Sequence, residues 1–480
     1  METVDEVTHW TLLYFASEWL VRLAMLVVVP LRRSPEAAKG WLLLILFLPW
    51  PGLLLYLLIG RPRLPRWRRA RFAQLPALLG MVRERLGSQL SGRRLEPEQA
   101  QLVPAARLVS QLAHFTPLGG NAVELLSDYD GTLRRLVADI DAARDHIHLL
   151  FYIMADDAGG GPVIAALARA CRRGLRCRVL VDAVGASDYL RPLLARLRAV
   201  GVEAQSVLPV HWLILNAPRM DLRNHRKLAV IDGRIAYTGS QNLVSAGFKP
   251  GLIYEDLMVR VRGPLVLQLQ AVFLADWYLE TGQILDAPRL LPVPEECGPV
   301  VAQALPSGPD YPNQNNQRLL VTLLHQARSR VIITTPYFVP DEALLQALQT
   351  AVLRGVEVHL VVAAQIDQWL VGFAQRSYYE ELLELGVRIY HYRERFLHAK
   401  HMSWDDTLAL IGSSNIDIRS FVLNAEISVV FYDAGVTAVL RREQERYLEL
   451  AEELELERWR RRPLYLQILQ NLARLLSPLL

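Results

Sequence analysis

The sequence predicts an α/β protein built from two tandem copies of one unit, carried behind an apolar N-terminal segment. Three observations carry this reading. Strand and helix patterns alternate in the same order twice, the glycine-centred junctions between them match, and a 21-residue run near the start holds no charge. The chain has 480 residues, 52% hydrophobic and 21% charged, which excludes bulk disorder. Lys plus Arg is 53 against 49 for Asp plus Glu, a formal +4, too small a surplus for a protein that coats nucleic acid. Cys171, Cys177 and Cys297 form no C-x-x-C pair, so neither a disulfide framework nor a Cys-rich zinc site is expected. A reducing compartment fits best.

The first elements are apolar helices. Mean hydropathy is +0.16, high enough to ask for a membrane segment. Gly40 to Gly60, GWLLLILFLPWPGLLLYLLIG, is long enough at ~1.5 Å per residue to cross a hydrocarbon core of roughly 30 Å. Trp10–Leu31 is nearly as apolar but carries Glu18 and Arg22, four apart on one helix face. The favoured reading is an ion pair that holds this helix on its neighbour. Two transmembrane helices, about 10–31 and 40–60, would make a hairpin, although Pro49 and Pro51 leave a re-entrant form open. An acidic start (Glu2, Asp5, Glu6) fits a signal peptide badly. Six arginines at 61, 63, 66, 68, 69 and 71, against three basic residues in the Arg32–Lys39 loop, place the following bulk in the cytoplasm. The same run would also attract anionic lipid headgroups.

After a polar, helix-prone connector (72–118), the repeat begins. His146–Ile153 reads as a strand, Pro162–Arg173 as a helix and Leu175–Val181 as a strand. Val331–Phe338, Asp341–Leu353 and Val356–Val362 repeat that order. Arg173-Gly174-Leu175 matches Arg354-Gly355-Val356, and Gly201-Val202-Glu203 matches Gly386-Val387-Arg388. Such alternation predicts a largely parallel, helix-covered sheet in each copy. The Pro-rich stretch Ala287–Pro312 reads as the loop joining them. The expected units are an anchor at 1–71, domains at 119–290 and 291–458, and a tail at 459–480.

One frame in each copy carries the chemistry. His225-x-Lys227 is followed after four residues by Asp232, then after six by Gly239-Ser240-x-Asn242. His398-x-Lys400, Asp405 and Gly412-Ser413-x-Asn415 repeat these six motif positions without a gap. A lone H-x-K is weak, but the full frame twice is strong. On a strand, residues two apart face the same side, so each imidazole lies beside an ammonium. That is a poor core arrangement unless an anion sits between them. A phosphodiester fits, with Lys227 and Lys400 on its non-bridging oxygens. The two histidines then supply nucleophile and general acid. Asp232 and Asp405 could each accept from a histidine ring N–H. Ser240, Asn242, Ser413 and Asn415 add small donors for the transition state. No metal is needed, because the cations are built in.

These frames resemble the phospholipase D superfamily, whose two α/β/α domains share one active site. The resemblance narrows to the bacterial cardiolipin synthase family on HRKLAVIDGRIAYTGSQN, HAKHMSWDDTLALIGSSNIDIRS, TPYFVPDEALLQAL, the YPNQNNQRLL run and the LP…GLLLY…G pattern of the anchor. It covers nearly the whole chain. Ser403-Trp404 depart from the small or branched apolar residues commoner before the second Asp. The resemblance implies a cofactor-free phosphatidyltransferase (EC 2.7.8 class) of the bacterial inner membrane. Phosphatidylglycerol would be both donor and acceptor, nucleic acid no partner, and a homo-oligomer is left open. Superfamily precedent favours His225 as nucleophile and His398 as acid, then base. Asp256 and Glu426 resemble the family's supporting acids, in place of or beside Asp232 and Asp405. Tyr152 and Tyr337 either line the site or are ordinary strand-end aromatics.

A hydrolase of the same superfamily, with water as acceptor, is the competing reading. A non-catalytic scaffold is improbable with two intact frames. The tail, with Arg460–Arg462 ahead of a Leu-rich run, reads either as a membrane-surface helix or as one packed on its own domain.

Overall fold

The computed structural model describes residues 2–33, 35–58, 60, 67–75, 97–209, 221–311 and 313–475. They fall into two compact units, Met1–Arg66 with Val210–Asp221, and Trp67–Pro209 with Leu222–Leu480. Arg61, Arg63, Arg66, Pro312, most of the connector and residues 476–480 lie outside the described residues.

In the first unit α1 (Glu2–Val28) contains a stretch, His9–Val28, long and apolar enough to cross a bilayer. The expected second span is instead broken into α2 (Pro35–Phe47) and α3 (Pro49–Leu58). Trp41 and Tyr56 would be about 22 Å apart in a straight helix, yet their rings meet at 5.3 Å. Pro49 and Pro51 cannot donate to the helical ladder, so the chain doubles back there. Gly52 is needed at the crossing, since a Cβ would come within 2.9 Å of the Ile45 backbone. Neither short helix reaches across a bilayer alone, at about 20 and 15 Å. Arg22 pairs with Glu18 at 3.1 Å and also donates from Nε to the Leu46 carbonyl at 3.0 Å. The pair therefore ties α1 to α2, as the sequence suggested.

In the second unit, the first half carries β1 (Leu118–Leu126), β2 (His146–Phe151), β3 (Arg176–Asp182), β4 (Glu203–Val207), β5 (Arg223–Asn224), β6 (Leu228–Ile231), β7 (Ile235–Gly239), β8 (Tyr254–Glu255) and β9 (Met258–Arg262). The second half carries β10 (Val300–Ser307), β11 (Arg330–Thr334), β12 (Phe338–Val339), β13 (Glu357–Ala363), β14 (Arg388–Tyr392), β15 (Phe396–Leu397), β16 (His401–Trp404), β17 (Leu408–Gly412), β18 (Ile416–Asp417), β19 (Asn424–Phe431) and β20 (Ala451–Glu453). The sheet order is β4-β3-β2-β6-β7-β9-β1 in one half and β14-β13-β11-β16-β17-β19-β10 in the other. The antiparallel β1–β10 pair joins them into one continuous path. Duplication is thus visible strand by strand.

The sheet is mixed rather than largely parallel. β2-β3-β4 and β11-β13-β14 run parallel, joined through crossover helices such as Gly160–Arg172 and Glu342–Leu353. The remaining long strands pair antiparallel, because β6–β7 and β16–β17 are hairpins with three-residue turns. Each crossover helix ends at a left-handed glycine, Gly174 at φ 84° and Gly355 at φ 86°, the conformation that lets the chain turn into β3 and β13. Val163, Ile164 and Leu167 bury themselves against Leu149 and Val179 and form the core of the first half.

Two expectations about linkers change. The Ala287–Pro312 stretch contains β10, a fully buried central strand, not a free joint. In the arginine run, Arg68 is buried against Glu280 and Asp310, while Arg71 caps carbonyls of Leu279 and Glu280 at 2.7 and 2.9 Å. These two are structural. They close the end of the helix Leu265–Thr281, where a cation meets the negative pole of the dipole. Of the three described arginines, only Arg69 is exposed.

Candidate active site

Each H-x-K segment enters the site beside the other half's acid. β5 lies parallel to the start of β19, with Arg223 opposite Asn424 and Asn224 opposite Ala425. β15 lies parallel to β8 in the same way, with Phe396 opposite Tyr254 and Leu397 opposite Glu255. His225 N–H donates to the Ala425 carbonyl and His398 N–H to that of Glu255, both at 2.8 Å. The register therefore sets His225 against Glu426 and His398 against Asp256.

The side chains follow. His225 Nδ1 is 3.0 and 3.1 Å from the two Glu426 oxygens. His398 Nδ1 is 2.7 Å from Asp256 Oδ1. A carboxylate partner requires the proton on Nδ1 and leaves each Nε2 as the reactive nitrogen. Both rings line one cavity of about 690 Å³ between the halves, with Asn242 and Asn415 on its wall. Lys227 and Lys400 are buried next to them, each ammonium donating to the carbonyl of its own histidine, at 2.8 and 2.5 Å.

Electrostatics binds the four into one cluster. Burial depresses His225 to about 4, with Lys227 and Lys400 adding to the effect against the pull of Glu426. His398 is also lowered, by burial first, then by both lysines, with Asp256 opposing. Burial brings Lys227 down to about 7 and Lys400 to about 8. Burial alone would raise Glu426 and Asp256, but the facing histidines and lysines hold both below the ordinary carboxylate value. In the empty site burial thus disfavours the charge on all four cations, and a bound anion would favour the charged form of each.

Asp232 and Asp405 are elsewhere. Asp232 accepts from the backbone N–H groups of Arg144, Asp145 and His146 at 2.8 to 3.0 Å. Asp405 does the same for Arg328, Ser329 and Arg330 at 2.8 to 3.2 Å. Five residues of extended chain carry each carboxylate about 16 Å beyond its lysine, to the far edge of the sheet. They orient neither His225 nor His398. Ser240 and Ser413 also differ from expectation. Ser413 Oγ donates to Glu426 at 2.5 Å, and Ser240 is tied to Leu257 at 3.0 and 3.2 Å, so both hydroxyls are engaged behind the cavity wall.

Tyr152 and Tyr337 both line the cavity but are not equivalent. The Tyr152 ring is 4.8 Å from that of His225 and 5.4 Å from the Lys227 ammonium. Tyr337 instead donates to Asp367 at 2.6 Å, and Lys249 reaches the same carboxylate across the halves at 3.1 Å. The ring against His398 is Tyr254, at 5.2 Å. Asp188, Lys249, Asp367 and Arg419 on the wall escaped sequence reasoning, which followed spacing within each frame; only Arg419 sat inside a quoted motif segment.

Fold and site together define a phospholipase D-type enzyme: a duplicated α/β/α body with two histidine–carboxylate pairs around one polar cavity. Comparison with known proteins agrees. The model of the "Cardiolipin synthase, PLD-like domain" matches residues 136–277 and 320–448, and a phospholipase D-nuclease N-terminal model matches 20–61. Cardiolipin synthase A of Pectobacterium atrosepticum is 36% identical over 496 residues, covering all of both chains. That of Yersinia pseudotuberculosis is 36% identical over 490 residues, again end to end. The crystal structure of phosphatidylserine synthase from Haemophilus influenzae superposes with a TM-score of 0.59 at 16% identity, over 78% of this chain and all of that one, and so bears on the fold alone. The chain belongs to the cardiolipin synthase family of phospholipase D-like enzymes, and it is a phosphatidyltransferase acting on phospholipid.

Proposed function

We propose that the enzyme moves a phosphatidyl group from one phosphatidylglycerol to another, giving cardiolipin and glycerol. The observation that carries this is the exchange of acids between halves, which supports two reactive Nε2 atoms at a single cavity. His225, neutral at pH 7, attacks phosphorus through Nε2. The P–O bond to glycerol breaks as His398, in the imidazolium form that the bound anion and Asp256 favour, gives that oxygen its Nε2 proton and returns to the neutral Nδ1–H tautomer. Lys227 and Lys400 draw toward the non-bridging oxygens, and Asn242 and Asn415 border the developing charge. Glycerol leaves. The hydroxyl of a second phosphatidylglycerol then gives its proton to His398 and attacks, and the P–N bond breaks. Glu426 and Asp256 hold the two ring tautomers and stabilise each imidazolium as it forms.

The same reading has the protein membrane-anchored by α1, with the phosphatidyltransferase body on the cytoplasmic side of the inner membrane and the domain limits given above. The three cysteines are free, in keeping with that side. Purified protein given labelled phosphatidylglycerol alone tests the chemistry. Cardiolipin with equimolar glycerol supports it; phosphatidic acid as sole product would make the enzyme a hydrolase.

A further inference from the structure

The helix Leu464–Leu475 is inside out. It packs on the helix Trp369–Ser377 through Gln470, Ala473 and the partly buried Leu466 and Gln467, while most of its large apolar side chains face outward. Gln470 and Ala473 are 3% and 4% exposed, and Gln470 accepts from Arg462 Nε at 3.1 Å. Arg474 pairs with Glu381 at 3.2 Å and lies 4.2 Å over the Tyr378 ring. The outward face is Leu464, Tyr465, Ile468, Leu469, Leu472 and Leu475, each between 48% and 75% exposed. A helix that met only water would be built the other way round.

Its place says what covers it. The supporting helix carries Val371 on the cavity wall, flanked by Gln368 and Asp367, while Trp369 on the same helix stands 70% exposed. On the first half's side of the wall, Tyr189 is half open and its ring is tilted at 59° to that of Phe248, 5.7 Å away, and Ile253 nearby in sequence is also half open. An apolar collar thus surrounds a cavity whose walls are largely tyrosine, carboxylate, guanidinium, imidazole and amide. That cavity suits a phosphodiester headgroup. Its wall has a few apolar side chains such as Val371 and Phe248, but at about 690 Å³ it is the size for one small ligand. It cannot also hold the acyl chains of two phospholipids, so these must remain in an apolar phase at the mouth.

We infer that this face, the C-terminal helix with Trp369 and the opposite rim, docks flat on the lipid bilayer and holds the cavity mouth against it. The occupant is the bilayer rather than a second copy, because a protein seated there would shut the mouth to lipid. A short helix with an apolar face and aromatics at the water boundary is the form of an interfacial anchor. The inference rests on the phospholipid reaction proposed above and adds a docking surface separate from α1.

Full-length protein with its three cysteines replaced tests it. An environment-sensitive fluorophore goes on Ile468→Cys or Leu472→Cys, and on exposed Glu455→Cys as control. In phosphatidylglycerol vesicles, acyl-chain brominated lipid should quench the first two and leave the control alone. In parallel, Ile468→Ser/Leu472→Ser should lose about tenfold in rate on bilayer phosphatidylglycerol. It should keep its rate on a monomeric short-chain phosphatidylglycerol. No turnover of short-chain lipid by unaltered protein would defeat the reaction and not the docking. Absence of quenching at 468 and 472 overturns the docking, as does cross-linking of residue 468 to a second copy or to α1–α3. So does an equal rate loss on both substrates.

Discussion

The two halves of the catalytic body share a frame but surround their histidines differently. His225 faces a glutamate whose second oxygen also accepts from Ser413, and an aromatic ring, Tyr152, lies against it. His398 faces an aspartate at 2.7 Å and the ring of Tyr254. Both carboxylates come from the opposite half, so neither unit owns a complete histidine pair. Duplication therefore supplies a scaffold with two identical sockets, and a few residues outside the frame break the symmetry. Burial holds His225 down to about 4. Each acid also takes a serine hydroxyl, Glu426 that of Ser413 and Asp256 that of Ser240, so the halves differ in glutamate against aspartate and in the ring beside each histidine. In the reaction proposed above, that difference would separate a nucleophile from a proton carrier.

Removing either ring tests this most severely. His225→Ala and His398→Ala should each lower transferase activity by about 10⁴-fold at unchanged expression and melting temperature. A single variant with substantial activity would mean that each half can work alone. The two should part company on a nitrophenyl phosphodiester, which needs little acid help. There His398→Ala should still load label onto His225 through an acid-labile bond, and His225→Ala should load none. Label on His398 instead would exchange the two roles.

The carboxylates come next. Glu426→Gln and Asp256→Asn should each cost about 10²–10⁴-fold in kcat by leaving a ring in the wrong tautomer. With the activated diester, Asp256→Asn should recover most of its loading rate and Glu426→Gln should not. Equal behaviour of the two variants on both substrates would erase the distinction between the halves.

Much of this was legible before any coordinates. The repeat, the crossover units and the six-position frame follow from period-2 and period-3.6 patterning and from glycines that only a left-handed turn explains. The acid partners could be suspected from family likeness alone. No spacing rule links Glu426 to His225, because what joins them is a parallel pairing between strands about 200 residues apart. The assignment of Asp232 to a histidine failed on elementary geometry. An aspartate five strand residues past the lysine lies at the far end of the sheet. The second membrane segment was left open between a span and a re-entrant form: its composition suits a span, but two prolines break it into two short helices. The sheet's antiparallel half was hidden because helix–strand alternation says nothing about hairpins tucked between the crossover units.

The lysines sharpen the comparison through pH. In the empty site Lys227 titrates at about 7 and Lys400 at about 8, so both are charged below that range and neutral above it. A phosphodiester needs the charged forms. KM for phosphatidylglycerol should therefore rise by about tenfold or more between pH 7 and 9, the first-half lysine failing first. Lys227→Met should remove the lower part of that rise. Loss of fold is not the cause. A lysine depressed on folding leaves the unfolded chain holding more protons between about pH 7 and 10, so these two groups favour the folded state more as pH rises. A melting temperature that is flat or rising across the window, together with the KM increase, is the expected pair. A constant KM to pH 9 would show that the ammoniums do not meet the substrate's charge.

The smallest effect on chemistry is expected where the halves are most alike. Asp232 at φ 56° and Asp405 at φ 46° occupy matching hairpin turns, and each gathers the backbone N–H groups that open β2 or β11. Asparagine tolerates the same left-handed backbone, so Asp232→Asn and Asp405→Asn change the carboxylate and little else. An amide offers one acceptor oxygen where the carboxylate offered two, and N–H groups at the partly exposed start of the strand lose charged partners. Each variant should lose about 1–3 kcal/mol of stability, read as a lower melting temperature. Turnover per folded molecule should stay within about twofold of the parent, far from the loss expected on removing a base. If kcat falls by orders of magnitude in either variant while the melting temperature holds, these aspartates act on the chemistry after all. The division of labour between near-end acids and far-end turns would then be lost.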